Sequence, residues 1–287
     1  MNKQRVWKII GTVVVWLCIV AFFVGAAMLR HANESERRVQ RLKVEVVDSG
    51  RLGLVTADKV IEAIRNEGLL PLGKRVDSVS LLAINNFVES NCFVHSAQTF
   101  VDYDGTLTVR LSQRKPIVRV ITSRGEDFCL TARAHLLPTQ QGVALDLPLV
   151  TGDIQVPFPA GFRGDMQAWA SANKKNTDKN YIFLLKLTNF VRLLESKPKL
   201  SENIVQIVVE NEAKKGANKE PKQTITLIPR KGNYSVQLGS LDNIEAKLNR
   251  WVRFVEAGVV DLNSEGTLNV SYEGQAVWKP QPKKSKK

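Results

Sequence analysis

The sequence predicts an α+β protein carried on one N-terminal membrane helix: a βααββ unit first, then a larger mixed α/β domain with a mainly antiparallel sheet. Three observations predict it. An uncharged apolar run occupies Ile9 to Leu29, strand and helix periodicities alternate through residues 42–115, and short strand-like segments broken by two helical ones fill residues 116–278. With 287 residues there is room for one or two domains and a sizeable core, and 44% hydrophobic and 24% charged residues are ordinary for a globular chain.

The run "IIGTVVVWLCIVAFFVGAAML" carries no charge and as a helix is about 31 Å long, against a hydrocarbon core of roughly 30 Å. It is too long for a typical signal-peptide core, although the "GAA" near its end leaves a cleaved leader as the alternative. Lys3, Arg5 and Lys8 precede it, and Arg30, Arg37, Arg38, Arg41 and Lys43 follow, diluted by Glu34 and Glu36. That near-balance leaves charge unable to orient the helix. A long domain after a first helix translocates largely regardless of nearby charge, so residues 1–8 are expected to be a cytoplasmic tail and residues 30–287 to lie outside the cytoplasm.

The formal net charge of +13 is high, and part of it sits at the ends, in the first eight residues and in Lys279, Lys283, Lys284, Lys286 and Lys287. Such an excess suits nucleic acid, anionic lipid or an acidic wall polymer equally well. An anchored exterior domain never meets a chromosome, which disfavours nucleic acid. The 279–287 tail is read as disordered and solvated, with lipid or wall polymer as the alternative. Cys18 lies within the membrane run; Cys92 and Cys129 either pair in an oxidising compartment or remain buried thiols, and thiols are the preferred reading.

After a polar, helical stalk (residues 30–41), "KVEVVDSG" is a strand with Val44 and Val46 on one side. "TADKVIEAIRNEG" is a helix with Thr56 as N-cap, Val60, Ile61 and Ile64 inward and Gly68 as its stop. "DSVSLLAINNFVESN" repeats the plan with Asp77 as cap and Leu81, Ile84 and Val88 inward. Asp104-Gly105 marks a hairpin turn before a strand in which Leu107, Val109 and Leu111 alternate with Thr106, Thr108 and Arg110. Further on, "YIFLLKLTNFVRLLES" is an amphipathic helix with Tyr181, Leu184, Leu185 and Val191 on one face. The stretch 153–180 reads as a long loop and 211–223 as an enlarged hairpin loop. The last segment, "TLNVSYEGQAVWKP", reads as one strand: Leu268, Val270, Tyr272, Ala276 and Trp278 on one face, Thr267, Asn269, Ser271, Glu273 and Gln275 on the other.

The βααββ order ending in "TLTVRLSQRKPIV", with Arg114, Lys115 and Pro116 at its close, resembles a POTRA domain. More specifically, it is similar to the first extracytoplasmic domain of the FtsQ/DivIB bacterial cell-division family. "DFCLTARAHLLPTQQGVALDLPLVTGD" resembles that family's hairpin leading into Leu149, Val150, Thr151 and Gly152. "ENIVQIVVEN", "QTITLIPRKG" and "YSVQLGSLDNIEAKLNRWVRFVEAG" resemble its β-β-β-helix run, with "LG" ahead of a helix containing Lys247 and Leu248, and "LNVSYEGQAVWK" resembles its terminal strand. Cys92 departs from the pattern, standing where relatives often have Pro. The likeness divides the chain into a POTRA-like domain (42–115), an FtsQ-type β-domain (116–278) and the basic tail.

No chemistry stands out beside this. His31, His95 and His135 have no partner at metal-ligand spacing. Ser112 and Lys115 have the Ser-x-x-Lys spacing but end a strand, where i and i+3 point to opposite faces. "DYDG" (Asp102 to Gly105) opens like a calcium loop without the later ligands. The Asn-x-Ser/Thr triplets at Asn33, Asn233 and Asn269 matter only in a eukaryotic secretory route. The chain is expected not to be an enzyme and to need no metal or other cofactor.

The resemblance implies a divisome scaffold at the septum of the bacterial inner membrane, whose last strand binds small bitopic partners of the FtsB/FtsL type by strand addition. It also implies contacts of the POTRA-like domain with other membrane division proteins. Tyr272 matches the family's important aromatic, and Ser271 stands where a basic residue is common. Tyr272 and Trp278 are the expected partner contacts, with Ser271, Glu273 and Gln275 beside them. The alternatives are a membrane-anchored cell-wall-processing enzyme with an unrecognised site, or a POTRA-bearing chaperone of outer-membrane assembly.

Overall fold

The computed structural model of the protein describes residues 14–26, 37–47, 52–212, 222–258 and 260–281. They fall into two compact units, Met1–Gln113 and Arg114–Lys287. Residues 14–26 are helical, inside the apolar run Ile9 to Leu29; the ends of that run, most of the stalk, the 213–221 part of the enlarged loop and residues 282–287 of the tail lie outside the described residues. Among the described residues no helix is long and apolar enough to cross a membrane.

In the first unit, β1 (Arg41–Val46), α1 (Ala57–Asn66), α2 (Leu81–Glu89), β2 (Val94–Val101) and β3 (Thr106–Gln113) follow the βααββ order. The sheet order is β1-β3-β2: β1 lies parallel to β3, and β2 antiparallel to it. A parallel pair needs a crossover, which the two helices supply. Their apolar stripes bury Val60 and Ile64 from α1, and Ile84 and Val88 from α2, with Leu107, Val109 and Leu111 of the central strand.

Local chemistry departs from expectation in two places. Residues 37–40, expected in a helical stalk, are extended, and the Val39 N–H donates to the Lys74 carbonyl at 2.9 Å while Gly73 N–H donates back to Val39. Asp77 does not cap α2. Its carboxylate is taken by Arg75 (2.7 Å) inside a 3₁₀ turn, Val76–Ser78, and Ser80 caps the helix by accepting from the Ala83 N–H at 3.2 Å.

The second unit holds one ten-stranded sheet. Its strands are β4 (Pro116–Thr122), β5 (Asp127–Thr131), β6 (His135–Pro138), β7 (Leu149–Gly152), β8 (Gly164–Asp165), β9 (Ile204–Glu212), β10 (Lys222–Pro229), β11 (Tyr234–Gly239), β12 (Gly266–Asn269) and β13 (Val277–Pro280). Their order is β13-β12-β11-β10-β9-β7-β4-β5-β6-β8. Neighbours are antiparallel except at β4–β7, β7–β9 and β11–β12. The parallel contacts of β9 with β7 and of β12 with β11 each require a crossover, and each contains a long helix: α4 (Lys179–Glu195) in one, α6 (Ile244–Glu256) in the other. Salt bridges run from Lys186 on α4 to Asp242 just ahead of α6 (2.8 Å) and from Lys197 just past α4 to Glu245 on α6 (3.0 Å). Exposed pairs of this kind contribute at most about 1 kcal/mol each; cohesion comes from one core in which Leu184, Leu187, Phe190, Leu248 and Trp251 meet the inward residues of the sheet.

Two sequence markers acquire a cause. Gly152 ends β7 at φ 120°, where a Cβ would collide with the Val209 carbonyl on β9. Gly239, at φ 66°, lets the chain leave β11, and buried Lys247 donates to the Ser240 carbonyl at 2.7 Å, tying α6 back to that turn.

The stretch 153–180 is not a long loop. It contains β8, a short helix α3 (Met166–Ala172) and the start of α4; α5 (Pro198–Ser201) follows the latter. Asp165 caps α3, its carboxylate accepting from the Gln167 and Ala168 N–H groups at 2.7 and 3.0 Å. Phe158 stacks on Phe162 (centroids 4.6 Å apart) and meets Trp169 edge-on (4.8 Å), so three aromatics hold the segment on the core.

Candidate partner-binding edge

The terminal segment is not one strand. Residues 266–280 form a hairpin, β12 and β13, joined by a loop over residues 270–276. Thr267 to Asn269 are paired on both sides, with β11 on one margin and β13 on the other. The expectation that residues 267–278 present one free edge is therefore corrected: among the described residues of this hairpin the free margin belongs to Val277–Pro280. Alternation conceals the turn because cross-strand partners here have the same parity. Leu268 faces Trp278 and Gly266 faces Pro280, so the apolar positions keep their period of two straight through the reversal.

Register decides what that margin offers. Gln281 N–H donates to the Glu265 carbonyl at 3.0 Å, which makes 265 and 281 a hydrogen-bonded pair. Alternation along an antiparallel ladder then points the polar groups of Val277 and Lys279 at β12, and those of Trp278 and Pro280 outward. Proline has no N–H, so the outward set is the Trp278 N–H and C=O followed by the Pro280 C=O.

The side chain of Trp278 turns the other way. Its indole stacks on Phe254 of α6 (6.2 Å, 18° between planes) and packs near Tyr234 (6.1 Å). A Cβ at residue 266 would collide with that ring, so glycine makes the room for it. Tyr234 in turn accepts from the Trp251 indole N–H at 3.1 Å, and burial raises its pKa above the ordinary tyrosine value. Trp278 thus anchors the hairpin through its ring and faces outward only through its backbone.

The other expected contact residues ride on the loop. Tyr272 is 48% exposed, Glu273 and Gln275 are exposed, and Gly274 turns the chain at φ 72°. Ser271 is half-buried, its N–H and hydroxyl both donating to the Asn269 side-chain oxygen, at 2.9 and 2.7 Å. Beside the loop a cleft of about 910 Å³ opens between Ser271 and Glu273 on one side and the Ser240-to-Arg250 segment on the other.

Sequence reading missed Arg250, Phe254 and Asn269. Arg250 and Phe254 lie on α6 and meet the terminal hairpin only through the fold. Asn269 had a local signal: the Asn-x-Ser spacing lets the asparagine oxygen accept from the N–H two residues on, a turn chemistry that the same triplet hides as a glycosylation site.

The other flagged residues are engaged elsewhere. Ser112 shares a hydrogen bond with Ser96 (2.8 Å), and Lys115 pairs with Glu195 (3.5 Å). The Asp102 and Asp104 carboxylates accept from Thr108 and Thr106. His95 is exposed, His135 half-buried, and His31 outside the described residues. Among the described residues no group of His, Cys, Asp and Glu could hold a metal ion. Cys92 and Cys129 lie in different units, and burial pushes the Cys129 thiol up to about 11.

A family model described as FtsQ/DivIB, C-terminal related, matches residues 115–278, closing within β13. The chain belongs to the FtsQ/DivIB family. A second model, for a POTRA-like domain, matches residues 37–112, which include the extended residues ahead of β1. No curated protein matches the chain. FtsQ/DivIB proteins are in general non-enzymatic division proteins, and the two matched domains are those of a cell-division scaffold.

Proposed function

We propose that this FtsQ/DivIB protein is a non-enzymatic divisome scaffold that captures small bitopic division proteins of the FtsB/FtsL type by strand addition on the outer margin of β13. One observation carries the reading: among the described residues β13 ends the sheet with a neighbour on one side only, while every residue of β12 is already paired. An unpaired margin binds an extended segment through main-chain hydrogen bonds, and nearby side chains select among segments. The exposed Tyr272 on the adjoining loop supplies the aromatic contact, with Glu273 and Gln275 beside it. Trp278 contributes backbone, and its ring keeps the strand flat on the core.

In this reading residues 9–29 anchor the chain once in the inner membrane, residues 1–8 stay in the cytoplasm, and both units lie outside it at the septum. The POTRA-like unit meets other membrane division proteins there. The test is crosslinking in growing cells from photoreactive residues placed at 272 and at 279. Both positions are expected to trap the same small bitopic protein. Crosslinks from neither, in cells where the protein remains membrane-bound after an alkaline wash, would sink the edge proposal; loss from the membrane in that wash would sink the anchor.

A further inference from the structure

We infer that Arg250 and Asn269 are positioning residues that hold the 270–276 loop in shape for its partner. The inference rests on the proposed role of Tyr272 and adds to it the means by which that residue is presented. Val270 is where the chain leaves β12. Its N–H donates to the Gln237 carbonyl of β11 at 3.0 Å, and its carbonyl accepts from Arg250 Nε and Nη2 at 3.3 and 2.9 Å. A flexible loop has no need of such closure; here both polar groups of its first residue are engaged.

Asn269 fixes the next residue. Its side chain is buried, with the amide nitrogen donating to Gln237 Oε1 at 2.8 Å and the oxygen accepting from both the N–H and the hydroxyl of Ser271. Gly239 lies under the same point. A Cβ built there would stand 3.0 Å from the Ser271 Cβ, so a side chain at 239 would push the loop a few tenths of an ångström away from β11. Bonds from α6, β11 and β12 therefore converge on residues 270 and 271, and the next side chain, Tyr272, stands out into solvent. Ordering a contact loop before binding removes a conformational cost that association otherwise carries.

The experiment uses the full-length protein in detergent and, as probe, the purified extracytoplasmic segment of the FtsB-type protein from the same cell. Backbone amide exchange is read at residues 271–276. Arg250→Met keeps the aliphatic stem but removes the donors. It is expected to speed exchange in the loop at least about tenfold and to weaken probe binding about five- to tenfold, with Tm nearly unchanged. Arg250→Lys, with one donor, recovers part of the loss. Asn269→Ala behaves like Arg250→Met, whereas Asn269→Asp keeps the acceptor for Ser271 but loses the donor to Gln237, and so recovers only part of the loss. On a Tyr272→Ala background Arg250→Met adds little, because the loop has lost what it presents.

If Tyr272→Ala binds the probe like the parent, the reading beneath this inference fails. If Tyr272→Ala weakens binding while Arg250→Met and Asn269→Ala leave both exchange and binding alone, the positioning role fails by itself. A full Arg250→Met penalty persisting in the double variant also overturns it, since Arg250 would then be touching the partner directly.

Discussion

At one end of the ten-stranded sheet, β8 contributes two residues before the chain turns into α3; at the other, β13 runs four residues with no strand beyond it among the described residues. The β8 end is closed chemically as well as by length. Asp165 leaves the ladder to cap a helix, the Met166 N–H donates to the Ala134 carbonyl at 3.0 Å, and Phe158, Phe162 and Trp169 pack behind. The first unit treats one of its margins similarly: on β2 the Ala97 N–H donates to the Glu89 carboxylate at 3.0 Å. Short strands, side-chain acceptors and covering helices are how sheets avoid unwanted pairing. Against that background the β13 margin, bordered by an exposed tyrosine, contrasts with the β8 end of the same sheet, and that contrast is what the proposed binding edge rests on.

The comparison breaks most severely at the closed end. Phe158→Ala removes the ring that both stacks on Phe162 and meets Trp169, and a buried aromatic truncation of this kind costs about 3–5 kcal/mol. Denaturant titration should show that loss, and light scattering should show association as the β6–β8 end becomes available for pairing. A Phe158→Ala protein as stable and monomeric as the parent would mean that the aromatics do not close this edge.

At the open end, Gly266→Ala drives a methyl group into the Trp278 indole, an overpacking expected to cost about 1–3 kcal/mol. Because the displaced ring pulls β13 out of line, partner pull-down should fall with stability in this variant. Tyr272→Lys separates the two effects. The position is exposed on a loop, so stability should stay within about 0.5 kcal/mol of the parent while pull-down is lost. Unchanged pull-down would remove Tyr272 from the contact.

The smallest effect is alkaline. Burial holds the Cys129 thiol protonated up to about 11, whereas an unfolded cysteine loses its proton near 8.5. The folded state therefore binds more protons in that window, and the stability it keeps below the unfolded value is lost as pH rises through about 11. Tyr234, raised by burial, adds in the same direction at the upper end of the range. Denaturant midpoints measured across this window should decline less in a Cys129→Val variant; an identical decline would place the alkaline sensitivity elsewhere.

Much of the fold was legible because it rests on local periodicity. The stripes of α1 and α2, the alternation in β3 and the turn at Asp104-Gly105 are written in neighbouring residues. Stretch 153–180 was not legible. Phe158, Phe162 and Trp169 stand four and seven residues apart, a helical interval, yet Pro157, Pro159 and Gly161 break any helix there, and their order comes from rings that meet only after the chain has folded back. The candidate site was half legible. Tyr272 is as exposed as a contact residue should be, but Trp278, identical in character on paper, is partly buried and packs against the core. Nothing local distinguishes an aromatic that seals a hairpin from one that greets a partner, since both are large, apolar and strand-borne.

By itself the sequence determined the βααββ order of the first unit, the apolar run near the start, and an aromatic-bearing segment ahead of a basic end. These depend on the spacing of side chains along the chain, which an alphabet records. Which margin of the last strands stays open was decided only by tertiary structure. That margin depends on register and sheet order, namely which strand lies beside which, and a hairpin whose partners share parity looks on paper like an uninterrupted strand.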